Sequence, residues 1–138
     1  MVVGDSTVHL EPTDAGQTSR LILVSGPARS GKSRWAEHLL HHHPVVTYIA
    51  TAATRPDDRD WQMRLEAHRK RRPDHWSVAE SGPALVNVID NLAPGQSVLI
   101  DALGGFVAHH LELTASEWHQ LCEQLIAQSG HPTARLFW

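Results

Sequence analysis

Eight consecutive residues near the start of the chain have types and spacing suited to binding phosphate. Their sequence, GPARSGKS, fits the pattern G-x-x-x-x-G-K-[ST] and follows an apolar run. Glycines permit backbone conformations that turn successive N–H groups inward, and those groups form a nest for anions at a helix N-terminus. Lys32 would reach the β- and γ-phosphates of a nucleotide, and Ser33 would bind Mg²⁺. The pattern predicts a nucleoside triphosphate site rather than a glycine-rich turn without a ligand, formed by Gly26, Pro27, Ala28, Arg29, Ser30, Gly31, Lys32 and Ser33.

An acidic residue is also expected, because such a loop works with a carboxylate that helps to hold Mg²⁺. Asp101 directly follows the apolar run Val98-Leu99-Ile100, so it would lie at the carboxyl end of a strand. Ligands of α/β proteins bind at that edge of the sheet. The alternative is that Asp101 caps the next helix, since Asp is a favoured N-cap. Asp90, inside an amphipathic pattern, is a weaker candidate.

A third group of residues lies on a charged helical segment. At 100° per residue, Arg64, His68 and Arg71 share one face, with Trp61 and Leu65 beside them. Neighbouring arginines would keep the imidazole neutral and could bind phosphate oxygens. A lone helical histidine is more often solvated or packed than catalytic. The residues alone therefore do not assign a role to His68.

The elements that must position these groups alternate between strand and helix patterns. This alternation predicts an α/β fold with a mostly parallel sheet covered by helices on both faces. Thr114 and Glu117 form a capping box at the start of the last helix. The predicted strands are Leu21–Val24, buried on both faces, Val45–Ala50 and Ser97–Asp101, with another beginning at Leu136-Phe137-Trp138. The predicted helices are Ser33–His42, Asp57–Arg71, Pro83–Leu92, a stretch from the Gly104-Gly105 pair to Leu113, and Ala115–Gln128, closed by Gly130.

Composition limits the other possibilities. The 138 residues suit one domain, with a flexible extension over 1–19 and a nucleotide-binding domain over 20–138. Twelve basic residues against 15 acidic ones argue against nucleic acid as a partner. The single cysteine, Cys122, excludes an internal disulfide and favours a reducing, cytoplasmic setting. No apolar run reaches the roughly 18 residues of a membrane span.

Four segments together resemble a known family. GPARSGKSRWAEHLL, YIATA, RLEAHRKRRPDHW followed by Ala79-Glu80, and VLIDALGGFVAHHL occur in this order. They resemble the bifunctional adenosylcobinamide kinase and adenosylcobinamide-phosphate guanylyltransferase of cobalamin biosynthesis, a P-loop family. The resemblance covers about residues 20–138. The Arg-Ser inside the loop and the Arg-x-x-x-His-x-x-x-Arg-Pro pattern make it more specific than the loop alone.

The resemblance implies two reactions at one nucleotide site. In the first, ATP or GTP phosphorylates adenosylcobinamide. In the second, GMP passes from GTP to adenosylcobinamide phosphate through a guanylylated histidine, which matches His68. The resemblance also implies Mg²⁺ and a homo-oligomer, namely a trimer. Further nucleotide contacts implied by matching positions are Thr51, Ala52, Ala53, Arg69, Lys70, Arg71, Arg72, Glu80 and Asp101.

This chain departs from the family pattern in two places. Gly104 and His109 stand where the family usually has Thr and Asn. The family also continues past the strand that begins at Leu136, so we expect the sheet to lack its last strands. Two alternatives therefore stay open beside the bifunctional enzyme. One is another P-loop small-molecule kinase, and the other is a nucleotide-binding but inactive fragment.

Overall fold

The computed structural model describes residues 21–129 and 135–137 of the chain. The predicted extension over 1–19 and the predicted helix end at Gly130 lie outside these residues. Within the described part, no helix is long and apolar enough to cross a membrane.

The described chain alternates between strands and helices, as its apolar pattern predicts. The strands are β1 Leu21–Ile22, β2 Val46–Ala50, β3 Ser77–Glu80, β4 Ser97–Asp101 and β5 Arg135–Phe137. The helices are α1 Lys32–Leu40, α2 Arg59–Arg71, α3 Leu85–Asp90, α4 Leu103–Ala108 and α5 Ala115–Ser129, with a 3₁₀ turn over Gly82–Ala84 before α3.

The five strands form one sheet in the order β1-β5-β4-β2-β3. All four strand pairs are parallel, which confirms the predicted α/β sheet of P-loop type. The strand predicted at the C-terminal end is confirmed over Arg135–Phe137. It lies between β1 and β4, so the last described strand belongs to the interior of the sheet.

Two apolar clusters, one on each face of the sheet, form the core. Alternate residues of a strand point to opposite faces, and in β4 Leu99 joins one cluster while Val98 and Ile100 join the other. Helix α1 covers the Leu99 face with Ala36 and Leu40. Helices α3, α4 and α5 contribute the buried residues on the opposite face, which are Leu85, Ile89, Phe106 and Leu125. The predicted helices on both faces are therefore confirmed.

Three differences from the sequence predictions have physical reasons. The predicted strand Leu21–Val24 is not buried on both faces: Leu21 and Leu23 are about half exposed, at 50% and 48%, and β1 lies at one end of the sheet that the described strands form. Strand β3 was not predicted, because Ser77–Glu80 is a short and largely exposed edge strand. The helix after the glycine pair ends at Ala108 rather than Leu113, and the chain continues in turns.

Candidate nucleotide-binding site

Polar residues meet at one edge of the sheet because three neighbouring strands end in register. Ala50 at the end of β2 pairs with Glu80 on β3 and with Asp101 on β4. The strands are parallel, so their carboxyl ends share an edge, which is where α/β sheets bind ligands. The predicted acidic residues Glu80 and Asp101 therefore flank the same strand end.

The first six residues of the GPARSGKS segment form an exposed loop before α1, and Lys32 and Ser33 are the half-buried first residues of that helix. Gly31 is the N-cap of α1 and has a φ of 86°, a left-handed conformation that favours glycine. The Ser30 N–H donates to the Pro27 carbonyl at 3.3 Å, and Lys32 Nζ donates to the same carbonyl at 3.1 Å. The loop thus stands at the N-terminus of a nine-residue helix, as phosphate binding requires.

A small cavity of about 50 Å³ lies beside this loop. Ser33 and Asp101 both line it, although they come from different elements. A hydroxyl and a carboxylate are the oxygen ligands that Mg²⁺ accepts, so the donor set fits this ion. The lining residues are Val24, Lys32, Ser33, Ala36, Glu37, Leu99, Ile100, Asp101 and Ala102.

Asp101 lines both cavities and does not cap the next helix. The N-cap of α4 is Ala102, so the alternative that Asp101 caps this helix is wrong. Instead, the Tyr48 hydroxyl donates to Asp101 Oδ2 at 2.6 Å. Burial, and next the charge of Asp101, raise the pKa of Tyr48, which keeps its hydroxyl protonated as a donor. The weaker candidate Asp90 accepts a hydrogen bond from Gln128 and lines neither described cavity.

A larger cavity of about 290 Å³ lies on the other side of Asp101. Its volume is near the lower end of the range of about 300–1,000 Å³ that is usual for small-molecule sites. Asp101 and Ala102 line both cavities, so the two share a wall. The lining residues are Tyr48, Ala50, Ala52, Ala53, Thr54, Trp61, Arg64, Leu65, His68, Glu80, Asp101, Ala102 and Gly105.

His68 lies on this second cavity, within reach of the shared wall. Its Nδ1 is 3.6 Å from Asp101 Oδ2 and 3.8 Å from Glu37 Oε1. The side chain keeps 28% of its surface exposed, so a ligand can reach the ring. An imidazole in such a place can act as a nucleophile toward a bound phosphate.

The C-terminal end of α2 is fixed by two of the predicted arginines. Arg71 donates from Nε to Glu37 Oε2 at 3.1 Å and from Nη2 to Glu37 Oε1 at 3.3 Å. The Arg72 guanidinium lies 4.0 Å from the centre of the Tyr48 ring, at cation–π distance. Arg69 and Lys70 are exposed on the same helix end and line neither described cavity.

Thr51 lies behind the shared wall and not on its surface. It is fully buried, its hydroxyl donates to the Ala102 carbonyl, and it accepts from the Ala102 N–H at 3.0 Å. A ring nitrogen of His109 lies 2.9 Å from the Thr51 carbonyl oxygen. Of the three strand-end residues predicted to line the nucleotide site, Ala52 and Ala53 line the larger cavity and Thr51 supports it.

The sequence patterns did not single out Glu37 or Tyr48. Glu37 follows Ser33 by four residues, a spacing that puts both on one face of α1. Tyr48 precedes Ala50 by two residues and so shares its face of β2. These spacings place the residues on the right face but do not identify their partners, which lie on α2 and β4.

Comparison with known proteins identifies the family. A family profile described as cobinamide kinase / cobinamide phosphate guanyltransferase matches residues 22–137. The bifunctional adenosylcobalamin biosynthesis protein CobU of Salmonella typhimurium is 40% identical over 92 residues, which are 66% of this chain and 50% of that protein. CobU of Escherichia coli is 37% identical over 113 residues, 77% of this chain and 61% of the relative.

CobP of Pseudomonas aeruginosa, another bifunctional adenosylcobalamin biosynthesis protein, is 42% identical over 83 residues, 59% of this chain and 47% of the relative. The chain thus spans about half the length of the curated relatives it matches. The profile match includes the GPARSGKS segment, His68, Ile22 of β1 and all of strands β2 to β5. The chain belongs to the cobinamide kinase / cobinamide phosphate guanyltransferase family.

Proposed function

We propose that this chain binds GTP across the two cavities and transfers its GMP group through His68 to adenosylcobinamide phosphate. The observation that carries the proposal is the position of His68, on a cavity that shares Asp101 and Ala102 with the cavity beside Lys32. A nucleotide with its terminal phosphates on the loop and its nucleoside in the larger cavity would bring its α-phosphate near this wall. The family and the names of the relatives support the same reaction.

The first transfer forms one bond and breaks one. A nitrogen lone pair of His68 attacks the α-phosphorus of GTP, the N–P bond forms, and the bond to the β-phosphate oxygen breaks to release pyrophosphate. A phosphate oxygen of adenosylcobinamide phosphate then attacks the same phosphorus, and the N–P bond breaks. Lys32 would stabilise the charge that develops on the leaving pyrophosphate.

The kinase reaction uses the same loop. The hydroxyl oxygen of adenosylcobinamide attacks the γ-phosphorus of ATP or GTP and its proton passes to solvent. The bond from that phosphorus to the β-phosphate oxygen breaks, which releases the nucleoside diphosphate. Lys32 binds the transferred and bridging phosphate oxygens, and Ser33 and Asp101 would hold Mg²⁺. When bound, this ion neutralises phosphate charge.

Residues of the larger cavity fit a guanosine group. Trp61 and Leu65 provide apolar surface for a base, and Glu80 provides a carboxylate at the end of β3. Guanine presents an N–H and an amino group on its pairing edge, and both can donate to one carboxylate. Adenine has an acceptor where guanine has its ring N–H, so Glu80 would favour GTP over ATP for the transfer.

Labelling with GTP that carries a radioactive α-phosphate tests the proposal. The intact chain with Mg²⁺ should acquire an acid-labile, base-stable label, and His68→Ala should acquire none. His119→Ala is the matched control, because His119 is exposed on α5 and lines neither described cavity. No label on a folded wild-type chain would contradict the transferase proposal.

The other outcomes separate the alternatives. Phosphorylation of adenosylcobinamide without covalent GMP would favour a kinase alone, and turnover of another acceptor only would favour a different small-molecule kinase. GTP binding with neither activity would favour a nucleotide-binding fragment.

A further inference from the structure

We propose that Glu37, held in place by Arg71, is a positioning residue for His68. Its carboxylate keeps the imidazole proton on Nδ1 and so leaves Nε2 as the nitrogen that accepts GMP. This inference rests on the proposed role of His68 as the GMP acceptor. It gives Glu37, a residue of α1, a role in the reaction of His68, a residue of α2.

The environment of Glu37 indicates a specific role for its charge. The side chain has only 8% of its surface exposed, and a carboxylate at that depth is unfavourable unless it is paired. Arg71 donates to both of its oxygens, which pairs the charge and fixes the plane of the carboxylate. Oε1 is thereby held 3.8 Å from His68 Nδ1.

His68 Nδ1 faces two negative oxygens rather than one. Glu37 Oε1 lies 3.8 Å away and Asp101 Oδ2 lies 3.6 Å away. Both distances exceed those of a direct hydrogen bond, so the preference is electrostatic. A proton on Nδ1 is attracted by both carboxylates, whereas a lone pair there would be repelled. The tautomer with Nδ1–H is therefore favoured, and the Nε2 lone pair is free to attack phosphorus.

Glu37 suits this task better than Asp101 does. Asp101 already accepts a hydrogen bond from Tyr48 and is the proposed partner of Mg²⁺, so its charge would be shared with the ion. Glu37 is paired with Arg71, which stands one turn after His68 on the same helix, so the orientation of its carboxylate does not depend on a bound ion. The contact between Glu37 and Arg71 thus ties the nucleophile helix to the helix that begins at the phosphate loop.

The test replaces the charge and measures the tautomer directly. Long-range ¹H–¹⁵N spectra of histidine-labelled protein report which ring nitrogen carries the proton, and His68→Gln identifies the His68 signals. Wild type should show Nδ1–H at His68, and Glu37→Gln should shift the population toward Nε2–H. Glu66→Gln is the control, because it removes the same charge from an exposed position on α2.

The rate of GMP labelling is the second readout. In Glu37→Gln we expect the rate to fall by about tenfold or more, as for other residues that orient a histidine. Labelling is measured in a single turnover at saturating GTP, so that a change in GTP affinity at the cavity that Glu37 lines does not enter the rate. Glu37→Asp keeps the charge and should retain the Nδ1–H tautomer with part of the rate.

Several results would overturn the inference. One is a wild-type His68 that carries its proton on Nε2, a measurement that does not depend on any variant folding. Another is a Glu37→Gln protein with an unchanged tautomer and an unchanged labelling rate. If wild type acquires no label while the tautomer shifts in Glu37→Gln, the positioning role stands and the proposed transferase function fails.

Discussion

Helices α1 and α2 both carry residues of the candidate site, yet they are held in different ways. Helix α1 packs Ala36 and Leu40 into the apolar core beneath the phosphate loop. Helix α2, all of which the structure describes, has no buried residue. Its C-terminal end is held by polar contacts from His68, Arg71 and Arg72. Apolar packing of α1 therefore holds the loop in place, whereas the position of His68 depends on contacts with a few charged groups.

Substitutions on the two helices test whether apolar packing holds α1 more firmly than α2. Leu40 is fully buried on the core-facing side of α1, so Leu40→Ala should lower the free energy of unfolding by about 2–5 kcal/mol. Met63 on α2 is 71% exposed, and Met63→Ala should change it by no more than about 0.5 kcal/mol. Chemical denaturation of both variants measures the difference. Equal losses would mean that α2 is packed as firmly as α1.

The second prediction separates the two helices by function. Lys32→Ala should lower both proposed reactions, the kinase and the GMP transfer, by about 100-fold or more, because both are proposed to use the GPARSGKS loop. His68→Gln should abolish transfer and leave the kinase rate within about threefold, because only the proposed transfer uses the imidazole. Single-turnover assays of each reaction measure the rates. A kinase rate that falls with transfer in His68→Gln would contradict this division.

The third prediction concerns the wall between the two cavities. A Cβ on Gly105 would lie 2.5 Å from Thr51 Oγ1 and 2.9 Å from the Ala52 nitrogen. Helix α4 would therefore have to shift away from Thr51 and Ala52. Gly105→Ala should lower the free energy of unfolding by about 1–3 kcal/mol and weaken GTP binding. Gly104→Ala is the matched control, since its Cβ meets nothing within 4 Å. Thermal unfolding and nucleotide titration compare the pair.

The smallest expected effect lies far from the site, at the start of α5. The Thr114 hydroxyl and N–H donate to Glu117, which lowers the pKa of Glu117, and the Glu117 N–H donates to Thr114 Oγ1 at 3.3 Å. Thr114→Ala should lower the free energy of unfolding by about 1 kcal/mol.

The sign of the pH dependence follows from the lowered pKa of Glu117. The stabilising contribution is complete above the unfolded pKa and is lost as pH falls through the folded one. Acid titrations of unfolding should therefore show a shallower loss at low pH in Glu117→Gln than in wild type. Identical acid profiles would mean that the capping box adds no pH-dependent stability.

Local patterns were sufficient for much of the fold. The apolar run before Asp101 predicted β4 with the bounds that the structure shows, and Thr114 with Glu117 predicted the start of α5. Edge strand β3 was not predicted, because a short exposed strand has no strong apolar pattern. Helices α3 and α4, which lie before and after β4 in the chain, are also shorter than their sequences predicted.

Local patterns in the sequence predict the GPARSGKS loop, the strand that ends at Asp101 and the charged helix with His68, because each depends on neighbouring residues and local periodicity. Tertiary structure alone decided that β5 lies between the loop strand and the Asp101 strand. It also decided that Glu37, Tyr48 and Asp101 surround one end of α2. These contacts join residues 31 to 53 positions apart in the chain, so only strand order, register and helix packing bring them together.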